Sequence, residues 1–296
     1  MSDPYPIIDV RPEWVLEPEE MGSKRKFWYR QTEDSAVWLF KYPQPNTGQH
    51  WAEKVAAEVA GLLGIQSAKV ELAEFEGMQG SVTESFARGG RTLVHGNQML
   101  AIVVHGYDPE REFGQASHTL ANIWRVMDRV FPAPNAVRLA KSCMAEYLML
   151  DALIGNTDRH HENWGILLKR TGNRWRGFLA PSYDHASSLG RELLDVRRDM
   201  LLAENRVGNY AERGRGAVYW SEEERHGPSP LDLVRRAVRK YPDLFRRASR
   251  KLERVDEADF RQIIERVPSD WITPSSQIFA LALMRYNYKE LRELFR

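Results

Sequence analysis

The chain holds a single cysteine, Cys143, in 296 residues. That excludes an internal disulfide and a cysteine-based zinc site. Its neighbours Ala140, Met144, Tyr147 and Leu148 predict a buried helix position, where a thiol serves as a small hydrophobe. No apolar run approaches the roughly 18 residues that a bilayer demands, so no membrane attachment is expected. Basic and acidic residues nearly cancel, leaving a net charge of +1. No global field therefore draws the chain to nucleic acid or to an anionic surface, and direct nucleic-acid binding is not expected. The basic tracts Arg235 to Lys240 and Arg246 to Lys251 are interleaved with Leu, Val and Phe, which reads as the solvated face of amphipathic helices. Neither Gly-x-Gly-x-x-Gly nor Gly-x-x-x-x-Gly-Lys-Ser/Thr occurs, nor does His-Glu-x-x-His. The start, Met1-Ser2-Asp3-Pro4-Tyr5-Pro6, lacks the basic and apolar regions of a secretory signal. Cytoplasmic residence is the expectation, with export that cleaves no signal left open. There is no repeat and no low-complexity tract.

With 43% hydrophobic and 28% charged residues, the composition is that of a globular protein, long enough for one large domain or two lobes sharing a cleft. Residues 25–42 alternate and are rich in aromatics, predicting a hairpin with its turn at Thr32 to Ser35. Pro43 to Gly48 reads as a loop. Trp51 to Leu63 carries Val55, Val59, Leu62 and Leu63 at helical spacing and stops at Gly64. Strands are expected at Ala68 to Phe75 and Gly80 to Phe86. Gly89 to Arg91 reads as a loop. Helices follow at Leu120 to Val130 and Val137 to Leu153, then a second hairpin at Trp164 to Leu168 and Trp175 to Leu179. The remainder from Leu193 is mostly helical. The expectation is an α+β, two-lobed chain, with a β-rich lobe over residues 1–86 and a larger α-rich lobe over 87–296.

The chemistry concentrates after the long helix. Asp158 and Asn163 stand five positions apart, and Asp184 follows in Pro181-Ser182-Tyr183-Asp184-His185. Phosphoryl transfer from ATP uses such a set. One carboxylate takes the acceptor's hydroxyl proton, while an amide oxygen and a second carboxylate hold magnesium. Each residue has a plainer reading. Asp158 and Asp184 could cap local structure, and Asn163 could be a turn residue. The agreement of all three spacings favours catalysis. The cluster His160, His161, His185 with both aspartates could also suggest a hydrolase metal site, but the phosphotransfer spacing accounts for more residues.

Leu153-Ile154-Gly155-Asn156-Thr157-Asp158-Arg159-His160-His161-Glu162-Asn163-Trp164 resembles the catalytic loop of HipA-family serine/threonine kinases, and more distantly that of phosphoinositide kinases. Leu179 to Asp184 resembles the HipA metal-binding motif. Trp38-Leu39-Phe40-Lys41 resembles the strand bearing the ATP lysine, and Val82-Thr83-Glu84-Ser85-Phe86 the hinge strand. The resemblance runs from about residue 20 to about 190. It implies a protein-kinase-like fold and an ATP- and magnesium-dependent protein serine/threonine kinase, of a short form lacking the N-terminal segment of full-length HipA toxins. Asp158 is then the base, Asn163 and Asp184 the metal ligands, and Lys41 the phosphate lysine. His160 supports the loop, and His161 is not required by the motif and is read as exposed. Glu84, Ser85 and Phe86 line the hinge. Lys41 calls for a glutamate on the Trp51–Leu63 helix, Glu58 first and Glu53 as the alternative. Gly22-Ser23-Lys24-Arg25-Lys26 matches the phosphate-covering loop only weakly, and a solvated basic turn is the competing reading. The family also implies autophosphorylation at Ser23, a protein substrate, and a separate antitoxin chain as partner. A lipid or small-molecule kinase and a nucleotide-binding pseudokinase are the rivals.

Overall fold

The computed structural model describes residues 3–19 and 25–295. Gly22, Ser23 and Lys24 lie outside the described residues. A six-stranded sheet is built from β1 (Ile7–Val10), β2 (Val15–Glu19), β3 (Lys26–Tyr29), β4 (Trp38–Lys41), β5 (Val70–Phe75) and β6 (Met78–Glu84), in the order β1-β5-β6-β4-β3-β2. Only β1 with β5 is parallel. The expected aromatic hairpin is present, with Ser35 N–H donating to Thr32 O across its turn. Neither β1 nor β2 was anticipated from the sequence.

Register explains which side chains meet the cleft. Phe27 opposes Phe40 and their rings stack 5.0 Å apart on the sheet's own small core, with Tyr29, Phe75 and Val82. Alternation sends the intervening residues to the other face. There Lys26 opposes Lys41, Trp28 opposes Leu39, and Leu39 and Lys41 oppose Thr83 and Ser81. Helix α1 (Gln49–Leu62) lies against β5 and β6, beginning two residues before the expected start.

The rest is chiefly helical: α2 (Gly96–Val103), α3 (Leu120–Val130), α4 (Pro134–Ile154), α5 (Asp195–Ala203), α6 (Val207–Arg213), α7 (Pro230–Lys240), α8 (Pro242–Leu252), α9 (Glu257–Glu265) and α10 (Pro274–Glu293). A three-stranded sheet joins β7 (Arg91–His95) to β8 (Gly165–Thr171) and β9 (Arg174–Leu179). The sequence reading had made the start of β7 a loop and had not foreseen α2. The architecture is α+β. The main core is continuous from α1 through α4 to α10, joining Trp51, Val55 and Val59 to Met144, Leu148 and Met284. The helix that faces the sheet is therefore seated on the helical part. Cys143 is only partly buried on α4, because it lies off the face that carries Met144, Tyr147 and Leu148 into that core. No described helix is long and apolar enough to cross a membrane. The basic tracts carry ion pairs: Arg235 with Glu212 and Glu290, and Arg247 and Lys251 with the buried Glu146.

Candidate active site

Helix α4 ends where the motif begins. Gly155 caps it in the left-handed conformation, at φ 67°, which glycine adopts without strain. A Cβ there would also stand 3.2 Å from Leu283. The chain then reverses. Asn156 donates from Nδ2 to Asp151 Oδ1 at 2.8 Å and accepts from the Asp158 N–H at 3.1 Å. Arg159 turns inward. Its fork binds Asp151 at 2.7 and 2.8 Å, and the same guanidinium reaches Asn163 O at 2.7 Å and Ser182 Oγ at 2.9 Å. One buried cation thus ties the loop bearing Asp158 to the segment carrying Asp184.

Asp158 is left facing outward. Ser187 Oγ donates to its Oδ2 at 3.2 Å, and Arg191 Nη2 donates to Ser187 at 3.1 Å. Asn163 uses Nδ2 on Asp158 O at 2.7 Å, so its amide oxygen remains as the free end of the side chain. Asn163 directly precedes the β8–β9 hairpin and Asp184 follows it, which brings the two together at one cavity. Asp184 has φ 56°, a conformation Asp tolerates better than most residues and one that recurs at functional sites.

Lys41 enters from the sheet. Its Nζ stands 3.0 Å from Glu53 Oε1 and 3.4 Å from Asp184 Oδ1. Burial opposes the ammonium charge, but Asp184 and Glu53 outweigh that and hold the group above the usual lysine range. Ser81 Oγ donates to Glu53 Oε2 at 3.1 Å and fixes the carboxylate. The expected partner Glu58 is not the one found. It binds Lys54 at 2.6 Å, which also binds Glu71 at 2.7 Å. Five residues turn a helix by roughly 500°, leaving Glu58 about 140° around α1 from Glu53.

Lys41, Asn163, Asp184 and His160 line a cavity of about 430 Å³, together with Glu84, Ser85 and Phe86. Ser85 spends its N–H on Val37 O, and its carbonyl accepts from Arg88 Nε. The Phe86 ring lies 5.2 Å from that of Tyr183. His160 is buried and accepts from the Glu162 N–H at 3.3 Å, a loop support. His161 is buried, not exposed. It pairs with Tyr107 OH at 2.7 Å, and desolvation lowers its pKa, with His160 adding to the effect. His185 instead meets Ser182 at 2.7 Å. The three histidines serve different neighbours, and among the described residues no group of three or more His, Cys, Asp or Glu could hold a metal.

A second cavity, of about 810 Å³, opens on the other side of the loop and is lined by Asp158. His160 and Glu112 border both spaces. Sequence reasoning missed Ser187, Arg191 and the Asp151–Arg159 clamp. The clamp had a signal, since Asp151 is a lone charge inside the apolar run Leu148 to Ile154.

The family profile of the HipA-like C-terminal domain matches residues 20–271. The chain belongs to the HipA-like C-terminal domain family. Among curated proteins nothing matches the chain. Among solved structures, the Helicobacter pylori proinflammatory kinase CtkA is similar with a TM-score of 0.76 and 17% identity, over 98% of this chain and 96% of that one. HipA of Shewanella oneidensis MR-1, solved in a toxin–antitoxin complex with HipB and operator DNA, is similar with a TM-score of 0.61 and 13% identity, over 96% of this chain and 68% of that one. The fold is thus the two-lobed, kinase-like one.

Proposed function

We propose that this HipA-like protein is an ATP- and magnesium-dependent kinase that transfers the γ-phosphoryl group to a protein serine or threonine. The observation that carries the reading is the convergence of Lys41, held by Glu53, with Asp184 and Asn163 on one cavity, while Asp158 lines the adjoining one across His160 and Glu112. The donor set suits magnesium, which prefers hard oxygens and takes only one or two from the protein. Bound there, magnesium would neutralise phosphate charge. The free Asn163 oxygen and the Asp184 carboxylate would hold it. Lys41 steadies the phosphates as a point charge. Ser187 orients the Asp158 carboxylate so that its other oxygen takes the acceptor's proton. The adenine edge would meet hinge backbone groups other than those Ser85 has already used, beside the Phe86 and Tyr183 rings.

The regulatory step proposed is autophosphorylation of Ser23. It would bring up to about two negative charges beside Lys24, Arg25 and Lys26. A separate chain of antitoxin type is proposed as a partner, on the family likeness. The test of the main reading is transfer of labelled γ-phosphate from magnesium-ATP to protein, with Asp158→Ala as control. Transfer that survives Asp158→Ala undiminished would overturn it. Mass spectrometry of the same samples reads Ser23.

A further inference from the structure

The larger cavity concentrates cations. Arg191, Arg197, Arg206, Arg213 and Arg215 line it, against the acids Glu112, Asp158 and Glu192. Some arginines elsewhere are matched by acids, as Arg236 is with Glu224 and Asp232 and Arg198 with Asp195. Here, among the described residues, only Arg206 has an acidic partner, Glu204 at 2.8 Å. Arg213 and Arg215 are exposed, and among the described residues their side chains make no ion pair or hydrogen bond. Arg197 donates only to Met200 Sδ. Arg191 leaves its Nε buried without a partner. Like charges gathered in a cleft repel one another and focus a positive potential into it.

The cations are fixed relative to the proposed base. Ala217 N–H donates to Thr157 O at 3.0 Å, one residue before Asp158. A Cβ on Gly214 would lie 3.3 Å from Thr157. Arg213 and Arg215 thus flank a segment moored to the catalytic loop, while Arg191 reaches Asp158 through Ser187.

We propose that this cavity is the acceptor site and that it selects a serine or threonine flanked by aspartate or glutamate. The inference rests on the kinase reading and names its substrate class. An extended peptide advances about 3.3 Å per residue, so carboxylates within a few positions of the hydroxyl fall among these arginines. The guanidinium fork matches a carboxylate in two-point contact. Glu112 and Glu192 are interspersed with the cations. They would repel the unbroken phosphate row of a nucleic acid but leave room for separate acidic side chains.

The test uses the full chain, magnesium and labelled ATP on a set of serine peptides whose flanks are acidic, alanine or lysine. Acid-flanked peptides are expected to be phosphorylated at least about tenfold faster than lysine-flanked ones, the scale of charge complementarity at a contact surface. Arg213→Glu with Arg215→Glu should erase that preference and leave the KM for ATP unchanged. Both side chains are exposed, and a thermal melt of the variant checks that it folds. Equal rates for all flanks, or a preference that survives the double substitution, overturn the proposal while leaving the kinase intact. An RNA oligonucleotide that competes as well as the acid-flanked peptide overturns it in favour of nucleic acid. Absence of both magnesium-ATP binding and transfer to any peptide overturns the kinase reading and this inference with it.

Discussion

Arg159 grips Asp151 with both arms of its guanidinium, at 2.8 and 2.7 Å, and both side chains are buried. The pair spans the reversal at the end of α4, so the loop bearing Asp158 is clamped to the helix that precedes it. The spare donors reach Asn163 O and Ser182 Oγ, which couples the loop of the proposed base to the Asp184 segment.

Removing one partner strands the other. Asp151→Ala should cost about 3–5 kcal/mol, the usual penalty for an unpaired buried charge. Urea denaturation of the variant measures it. A loss below about 1 kcal/mol, the scale of a surface pair, would mean that the clamp is solvated.

Lys41→Ala and Glu53→Gln should each slow phosphoryl transfer, the former by about a hundredfold, since a preorganised cationic contact in a water-poor site is worth several kcal/mol. Glu58→Ala should leave transfer near the parent rate, because Lys54 keeps Glu71 and Val70 O. Steady-state assays on the three variants check this. A reversed order would reassign the lysine's partner.

Asp184→Ala should abolish magnesium-dependent nucleotide binding, whereas Asp158→Ala should retain binding and lose turnover. Titration calorimetry with ATP, with and without magnesium, separates the two roles. Tight, magnesium-dependent binding by the Asp184 variant would remove its assignment as a ligand.

Acid should destabilise the fold through buried histidines, His118 and His50 among them. Burial pushes His118 down to about 3 and His50 down to about 4. His118 donates from Nδ1 to Ala217 O and accepts at Nε2 from Trp164, an arrangement only the neutral ring can satisfy. Below about pH 6.5 the unfolded chain takes up protons that the folded one refuses. The stabilisation is therefore complete above pH 6.5 and is lost progressively toward the folded-state values. Each ring contributes up to about 1.4 kcal/mol per pH unit in that window. Thermal melts should hold level from pH 7.5 to about 6.5 and fall from there to 4.5, and His118→Gln should flatten the fall. An unchanged slope would count against the neutral ring.

Several elements that the sequence announced carry their signal in a local pattern. The aromatic hairpin, α1, α4 and the β8–β9 hairpin follow from alternation, helical spacing and turn residues, each a local property. The spacing of Asp158, Asn163 and Asp184 was legible for the same reason: a short loop and one hairpin bring them together. Strands β1 and β7 were not, since each is completed by a partner more than sixty residues away, Ile7 with Leu72 and Val94 with Ile166.

Residue type and spacing therefore determined the α+β class and the loop that bears the proposed base and metal ligands, and the resemblance of its motifs pointed to the family. Tertiary structure decided which glutamate holds Lys41, because only packing sets which face of α1 meets the sheet. It also decided that His161 is buried, and that arginines from 191 to 215 surround the space in front of Asp158. No local pattern encodes these outcomes. They arise when separate segments are brought together by burial of a shared core, and the apolar contacts that drive this carry no record, in any one segment, of what its polar residues will face.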